Sequence, residues 1–376
     1  MGIKKKIAIL ADYPVWLHER SHSQEGRHYA VWLVALHEAW AAVSDYEIHW
    51  ITLSREKKRR EEYERKGQFF HVLPCGSRRV AQRLHYLVDR WKIGRCLRDI
   101  KPDLVHAWGS EGCYGLCAAD FAGKKLFSLQ GALTAYARRA PMPPFAVRQA
   151  RWEEFTFRAV GHITTESEWA REQVLELVPE ANVMLWEYAA EERFFRAERQ
   201  PSPLPCCLLA GSHTPIKNVD LAVRAFSRPE LRHVTLYLAG VVPGAYDSLP
   251  DNIIPLGFVN RERLQELLEQ CWALVHPSLA DCCPNIVKEA RAMGLPCVVT
   301  TECGAKQYVV HGQSGFVISP HDEQALVESV LAMTEDLQTS LSMGEEDRTR
   351  CREALSSKTM VDGILGIYAD MLREEK

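Results

Sequence analysis

The sequence contains no long apolar run. Nowhere in its 376 residues is there a stretch approaching the roughly 20 apolar residues of a membrane-spanning helix, so none is expected. Met1-Gly-Ile-Lys-Lys-Lys6 passes directly into Ile7-Ala-Ile-Leu10. That segment is too short for the core of a secretory signal and reads as a first buried strand. Zinc-type cysteine spacing is also missing. Among 12 cysteines, Cys206-Cys207 and Cys282-Cys283 are adjacent, Cys113 and Cys117 are separated by three residues, and no pair of pairs appears. Buried, reduced thiols in a cytosolic protein are expected. No Asp-x-Asp pair, repeat or low-complexity tract is visible. Neither a bound metal nor a nucleic-acid partner is expected.

What is present describes a soluble globular chain, with 47% hydrophobic and 25% charged residues. It is long enough for two domains with separate cores. The net charge of −3 hides an asymmetry. Residues 1–150 carry 25 Lys and Arg against 15 Asp and Glu, whereas residues 151–376 carry 21 against 34. A basic first half suits an anionic partner, such as a phosphate-bearing acceptor or an anionic membrane surface. The run Arg55–Lys66 alternates in sign and reads as a solvated helix face. Arg78–Arg98 has fewer acids and sets Leu84, Leu87, Val88 and Trp91 at helical spacing. That pattern is a basic amphipathic helix, suited to a membrane interface or to plain solvation.

Strand-like and helix-like segments alternate along the chain. Expected strands are Ile7–Leu10, Glu47–Leu53, Phe69–Leu73, Leu104–Ala107, Lys125–Gln130 and His162–Thr165. A second series is Cys206–Ala210, Thr235–Ala239, Ile253–Leu256, Ala273–His276, Cys297–Thr300 and Gly315–Ile318. Helices are expected at Gly26–Ala41, Arg78–Asp99, Arg148–Val160, Ser167–Val178, Val219–Phe226 and Arg261–Cys271. Such alternation means α/β architecture, parallel sheets covered by helices on both faces. Pro201, Pro203 and Pro205 crowd the middle of the chain and mark a linker. The expected division is a Rossmann-like domain at 1–190, a linker at 191–204, a second Rossmann-like domain at 205–357, and a last amphipathic helix at 358–376.

The densest chemistry lies at Asp281-Cys-Cys-Pro-Asn-Ile-Val-Lys-Glu289. A carboxylate on a loop is followed eight residues later by a carboxylate on a helix, and Asn285 and Glu289 share a helix face. The strand Ala273–His276 leads into this loop. Two carboxylates and a helix N-terminus therefore converge beyond a strand's C-terminal end, where parallel α/β sheets bind ligands. Helix N-termini favour phosphates, and carboxylates accept hydrogen bonds from sugar hydroxyls. Taken alone, an ordinary amphipathic helix with solvated acids is the alternative.

This stretch resembles the donor-site signature of retaining glycosyltransferases of family 4, which have the GT-B fold. There the pattern is Glu, seven residues, Glu, commonly with Pro-Asn inside and Ala-Met-x-x-Gly-Leu-Pro after it. The match is Asp281 and Glu289, with Pro284-Asn285 and Ala292-Met293-Gly294-Leu295-Pro296; the departure is Asp for Glu at 281. Leu208–Phe226 resembles the family's strand, glycine loop, lysine and helix. Lys217 matches the family lysine, Ser212 stands in place of its arginine, and Asn218 stands where glycine is common. Leu238-Ala-Gly240 and Gly257-Phe258-Val259 resemble the strand end and the segment that meets the nucleobase.

In the first half, Val105-His-Ala-Trp-Gly-Ser-Glu111, Phe127-Ser-Leu-Gln-Gly131, Thr164–Trp169 and Tyr188–Phe195 resemble a sub-group associated with surface polysaccharide and lipopolysaccharide assembly. Gln130 stands where many members have histidine, and only Gly26 fits the family's glycine-rich turn.

The resemblance implies a metal-independent, retaining transfer from a UDP- or GDP-linked sugar to a glycan or lipid-linked hydroxyl, in an inter-domain cleft, with no cofactor. Lys217, Asp281 and Glu289 are the implied catalytic residues. Gly211, Ser212, Gly240, Val259, Cys283, Pro284, Asn285 and Ile286 are the implied donor-site residues. Gly26, His106, Glu111 and Gln130 stand on the acceptor side. His106 reads equally as a core histidine, and His18, His22 and His28 read as structural. The resemblance also implies that the last helix returns to the first domain; capping the second domain is the alternative. The implied location is cytoplasmic, with peripheral contact at the inner membrane face. A GT-B epimerase or a catalytically weak or inactive relative are the rival readings. Ser212, Asp281 and Gln130 favour the inactive one.

Overall fold

Strands in which every residue is apolar and buried need cover on both faces, and the chain supplies it by winding parallel sheets with helices. The structure, a computed structural model, describes residues 4–18, 30–41, 43 and 45–373. The first sheet holds β1 (Lys5–Leu10), β2 (Tyr46–Ser54), β3 (Glu61–Arg65), β4 (Gln68–Pro74), β5 (Leu104–Trp108), β6 (Lys124–Ser128), β7 (His162–Thr165) and β8 (Asn182–Leu185), in the order β3-β4-β2-β1-β5-β6-β7-β8. The second holds β9 (Cys206–Ala210), β10 (Thr235–Ala239), β11 (Ile253–Gly257), β12 (Ala273–His276), β13 (Cys297–Thr300) and β14 (Gly315–Ile318), in the order β11-β10-β9-β12-β13-β14. All pairs are parallel except β3 with β4. Strand order reverses between β1 and β5, and again between β9 and β12. Crevices for ligands open at such reversals.

The last helix, Ser357–Arg373, packs Met360, Ile364, Tyr368 and Met371 into one cluster with Leu33, Leu36 and Trp40, against the first sheet. Residues 191–204 are less loose than their prolines suggest. A short helix, Glu192–Arg196, buries Phe194 in the second domain's core. Gln200 N and Ser202 N then donate to Glu269 O and Gln270 O, laying the segment along the helix Arg261–Gln270.

Four expectations need correction. Arg55–Lys66 is not a helix face. Its second half is β3, an antiparallel edge strand whose alternating charges face solvent, as edge strands require. Arg78–Asp99 is two helices, Arg78–Arg83 and Leu87–Ile100, broken where His85 and Tyr86 take φ of +48° and +53°. The expected helix Arg148–Val160 is likewise split into Pro144–Ala150 and Glu153–Val160. β8 was not foreseen, because Asn182-Val-Met-Leu185 is a four-residue strand at the sheet's edge, too short to show a strand period. Gly26, His22 and His28 lie outside the described residues.

Candidate active site

At the reversal of the second sheet, β9 ends at Ala210 and the chain loops through Gly211 and the exposed Ser212 to Lys217. Asn218 follows with φ +51°. Asparagine tolerates this left-handed conformation because its short amide bonds locally. Here Nδ2 donates to Pro277 O at 3.0 Å and Pro320 O at 2.8 Å, which explains Asn in the family's glycine position. Gly240 ends β10 with φ +96°, and a Cβ there would sit 2.5 Å from Gly211 O. No other residue lets these two strand ends approach so closely.

Lys217 Nζ lies 2.5 Å from Asp281 Oδ2, and His276 Nε2 lies 3.1 Å from the same oxygen. The Asp281 side chain is 12% exposed, whereas that of Lys217 keeps 28%. Burial pushes the Asp281 carboxyl up, but the Lys217 charge and the His276 hydrogen bond outweigh it and hold the pKa far below the usual range. Burial disfavours the Lys217 cation, yet Asp281 more than offsets this and raises its pKa. The pair is therefore charged at neutral pH. Both contacts use Oδ2; Oδ1 has no hydrogen-bond partner among the described residues.

The Asp281 loop is fastened from both domains. Asp281 N donates to Glu302 O at 3.1 Å, and Gly304 N to Asp281 O at 2.8 Å. A side chain on Gly304 would overlap Cys282 O and Ser167 Oγ. From the first domain, Ser167 Oγ donates to Cys282 O at 2.6 Å. Tyr136 Oη accepts from Cys282 N at 3.0 Å, and Ala132 N donates to Cys282 Sγ at 3.2 Å. Cys282 thus plugs into the first domain's core and Cys283 into the second's.

The helix Asn285–Met293 starts at Pro284 without a side-chain cap. Among the described residues, the amides of Asn285 and Ile286 donate to no backbone carbonyl. They are the orphan donors that a helix N-terminus offers to anions. Glu289, one turn on, is 1% exposed. Arg261 Nη2 lies 2.6 Å from its Oε1 and 2.9 Å from Glu191 Oε1, so Glu289 is an arginine-bound carboxylate below the surface, not an open one. Val259, near this corner, is part-buried, while Phe258 beside it is 62% exposed.

The first sheet's reversal faces this assembly. Gly109, after β5, has φ +79°, and a Cβ there would meet Glu111 Oε2 at 2.6 Å and Gln130 Oε1 at 2.8 Å; one on Gly131 would meet Glu111 Oε1 at 2.6 Å. Glu111 and Gln130 therefore lie together, next to Ala132 and the Cys282 loop. Burial pushes the Glu111 carboxyl up to about 7, and Glu153 and Asp12 add to the rise. Because its folded pKa exceeds the ordinary 4.5, the native state binds the extra proton. That stabilisation is complete below about pH 4.5 and is lost as pH rises through 7. Thermal unfolding of Glu111→Gln should lack the decline that wild type shows between these values; parallel curves would place Glu111 in water.

His106 leaves the site list. It is fully buried, with Nδ1 2.6 Å from Tyr368 Oη and Nε2 2.6 Å from Ser128 Oγ, and stacks on Trp108 at 3.9 Å. It ties the last helix to the first sheet. His18 sits between Tyr13 Oη and Tyr63 Oη. Sequence reasoning missed His276, Arg261 and Glu191. Arg261 did carry a signal: a cation in the first turn of a helix opposes the helix dipole and needs a compensating partner. Here the partners are two carboxylates.

Residues 205–336 match the family model described as glycosyl transferases group 1, and residues 30–187 match glycosyltransferase family 4. Glycosyltransferase models thus cover both halves of the chain, that of family 4 the first half. Among similar curated proteins, N-acetyl-alpha-D-glucosaminyl L-malate synthase of Bacillus anthracis is 26% identical over 34% of this chain and 33% of that protein. The UDP-Gal:alpha-D-GlcNAc-diphosphoundecaprenol alpha-1,3-galactosyltransferase of Escherichia coli is 26% identical over 33% of this chain and 32% of its own. The chain thus spans about a third of the length of these relatives. Sucrose-phosphate synthase from Thermosynechococcus elongatus superposes with a TM-score of 0.78 at 14% identity, covering 99% of this chain and 100% of that one. The chain accordingly has the GT-B fold.

Proposed function

We propose that this protein is a retaining glycosyltransferase that moves a sugar from a nucleotide-diphosphate donor to a hydroxyl acceptor, without a metal ion. The observation that carries the reading is the pairing of Lys217 and Asp281 beside the unbonded amides of Asn285 and Ile286, opposite Glu111 and Gln130. In the transfer, the bond from the anomeric carbon to the diphosphate oxygen breaks, and its electron pair leaves with the diphosphate. The acceptor oxygen bonds to that carbon on the same face, and its proton passes to the departing diphosphate. Lys217 and the two amides meet the negative charge that grows there. Asp281 keeps Oδ1 for the sugar's hydroxyls. Glu289, held by Arg261, takes the ribose hydroxyls, and Val259 with Gly240 frames the nucleobase side.

A UDP- or GDP-linked donor fits these groups, and UDP-Gal is what one relative's name specifies. The acceptor is a glycan or lipid-linked hydroxyl, reached from the cytoplasm at an anionic membrane face; that same relative's name specifies a diphosphoundecaprenol acceptor. A catalytically weak or inactive relative is the second reading. It is favoured by the burial of Glu289 under Arg261 and by the closed Lys217–Asp281 pair.

A turnover screen over UDP- and GDP-sugars, with and without EDTA, tests the proposal. Expected is release of one nucleotide diphosphate, unaffected by chelator, with the product's anomeric configuration retained by NMR. No turnover of any donor sinks the reading in favour of the inactive one. Loss with EDTA and recovery with magnesium or manganese overturns metal independence alone.

A further inference from the structure

Beyond the C-terminal edge of the second sheet, the edge from which Lys217 and Asp281 act, a histidine stands against a tyrosine and an aspartate. The loop after β9 turns sharply there. Thr214 N donates to Ser212 O at 2.7 Å, which closes a three-residue turn with His213 at its apex. Lys217 N then donates to Thr214 O at 2.9 Å, so the turn and the lysine form one unit. Asp220 lies in the first turn of the helix Val219–Ser227. Tyr246 belongs to the segment that follows Gly240, whose missing Cβ lets the end of β10 meet Gly211. Three neighbouring segments therefore meet at His213.

The contacts fix where the protons are. Tyr246 Oη lies 2.6 Å from Asp220 Oδ1 and gives its one proton to that carboxylate. This hydrogen bond is the largest influence on Asp220 and holds its carboxyl below the usual range, so Asp220 is ionised. His213 Nε2 lies 3.0 Å from Tyr246 Oη and 3.5 Å from Asp220 Oδ1. Both oxygens can only accept from it, so Nε2 carries a proton. Nδ1 has no hydrogen-bond partner among the described residues. The His213 and Tyr246 rings lie 4.9 Å apart at 34°, which holds the imidazole's plane as well. Of the charged groups around it, Arg224 acts on Asp220 from one turn further along the helix, and Lys217 is turned to Asp281. The side chains of His213 and Asp220 are 37% and 65% exposed, and contacts in such water-filled surroundings add little stability. An oriented imidazole with one free nitrogen, beside a carboxylate that favours its charged form, is a group prepared for an anion.

We propose that His213 is a second cation for the donor's diphosphate, charged by the binding event itself. The proposal rests on the transferase reading above. Lys217 meets the diphosphate with a permanent charge. His213 takes a proton from solvent onto Nδ1 as the diphosphate arrives, and the imidazolium then lies between Asp220 and the anion. When the diphosphate leaves, the proton returns to solvent.

Calorimetry of the full chain with UDP, GDP and inorganic pyrophosphate, in buffers of different ionisation enthalpy, tests this. At pH 7.5 wild type should take up more protons on binding than His213→Gln does. The variant should bind about tenfold more weakly than wild type at pH 6.5 and only about twofold more weakly at pH 8.5, because histidine changes charge across this range. His213→Arg carries the charge permanently; it should bind like wild type at pH 6.5 without the extra proton uptake. Thermal unfolding of His213→Gln should keep the wild-type midpoint. Equal affinity and equal proton uptake in wild type and His213→Gln overturn the proposal, as does failure of all three probes to bind. A weaker His213→Gln with a lowered unfolding midpoint and unchanged proton uptake would reduce the three side chains to a clamp on the loop. The expected proton uptake without turnover of any donor would keep this site and remove the transferase reading. Donor turnover indifferent to His213→Gln would do the reverse.

Discussion

Lys288→Met should destabilise the protein by about 3–5 kcal/mol, the cost of leaving a buried charge without its partner. Lys288 is completely buried, with Nζ 2.5 Å from Glu166 Oε2 and 3.3 Å from Tyr188 O. Glu166 follows β7 of the first sheet, whereas Lys288 belongs to the helix Asn285–Met293 beside the second, so the pair crosses between domains. The same carboxylate oxygen accepts from Tyr188 N at 3.2 Å. Further links run beside it: Gln307 Nε2 reaches Glu166 O and Glu187, and Arg139 Nε reaches Glu302. This string fixes the Asn285 helix relative to the first sheet, and hence the distance across the cleft. Chemical denaturation should show the loss in Lys288→Met and recover most of it in Lys288→Met/Glu166→Gln, where no uncompensated carboxylate remains and the glutamine carbonyl still accepts from Tyr188. A single variant within 1 kcal/mol of wild type would mean the pair is not closed in solution, because exposed pairs contribute only about 0–1 kcal/mol.

The parts of this arrangement that were legible in the sequence are those written in local pattern. Ala273–His276 and Cys297–Thr300 are short apolar runs flanking a helix, and the spacing of Asp281 and Glu289 follows from helix geometry. What was not legible depends on side chains meeting across the chain. His106, at a strand end, read equally as an acceptor-side residue and as a core histidine. Its fate is decided by Tyr368, 262 residues later, which no local signal contains. Arg261 and Glu191 reach Glu289 from two separate segments. The stripe Leu84–Trp91 had helical spacing, which usually means a core face. Only the structure shows that Ile93, Cys96 and Leu97 occupy the core and leave that stripe outside. Arg55–Lys66 misled because alternating charge fits a solvated helix and an edge strand equally well.

Lys217→Met should lower turnover about 10²–10³-fold, the usual effect of removing one donor aimed at charge that develops in the transition state. It should also cost stability, because Asp281 loses the partner that outweighs its burial. Among the described residues, His276 then remains as the side-chain hydrogen-bond partner of that carboxylate. In the intact protein, burial lowers the His276 pKa and Lys217 adds to the lowering, while Asp281 works against both. Without Lys217 its pKa should rise from that lowered value, so the variant's native state takes up the proton at a higher pH than wild type does, and its deficit shrinks as pH falls. The stability deficit of Lys217→Met should therefore be smaller in acid than at neutral pH. Lys217→Met/Asp281→Asn removes both charges. It should recover stability at pH 8 but not turnover, which separates the structural role of the pair from its work on the diphosphate. Asp281→Asn alone should be milder in stability than Lys217→Met, because the lysine it strands keeps access to water. Wild-type turnover in Lys217→Met would take the lysine away from the diphosphate altogether. A deficit that ignores pH would take His276 away from Asp281.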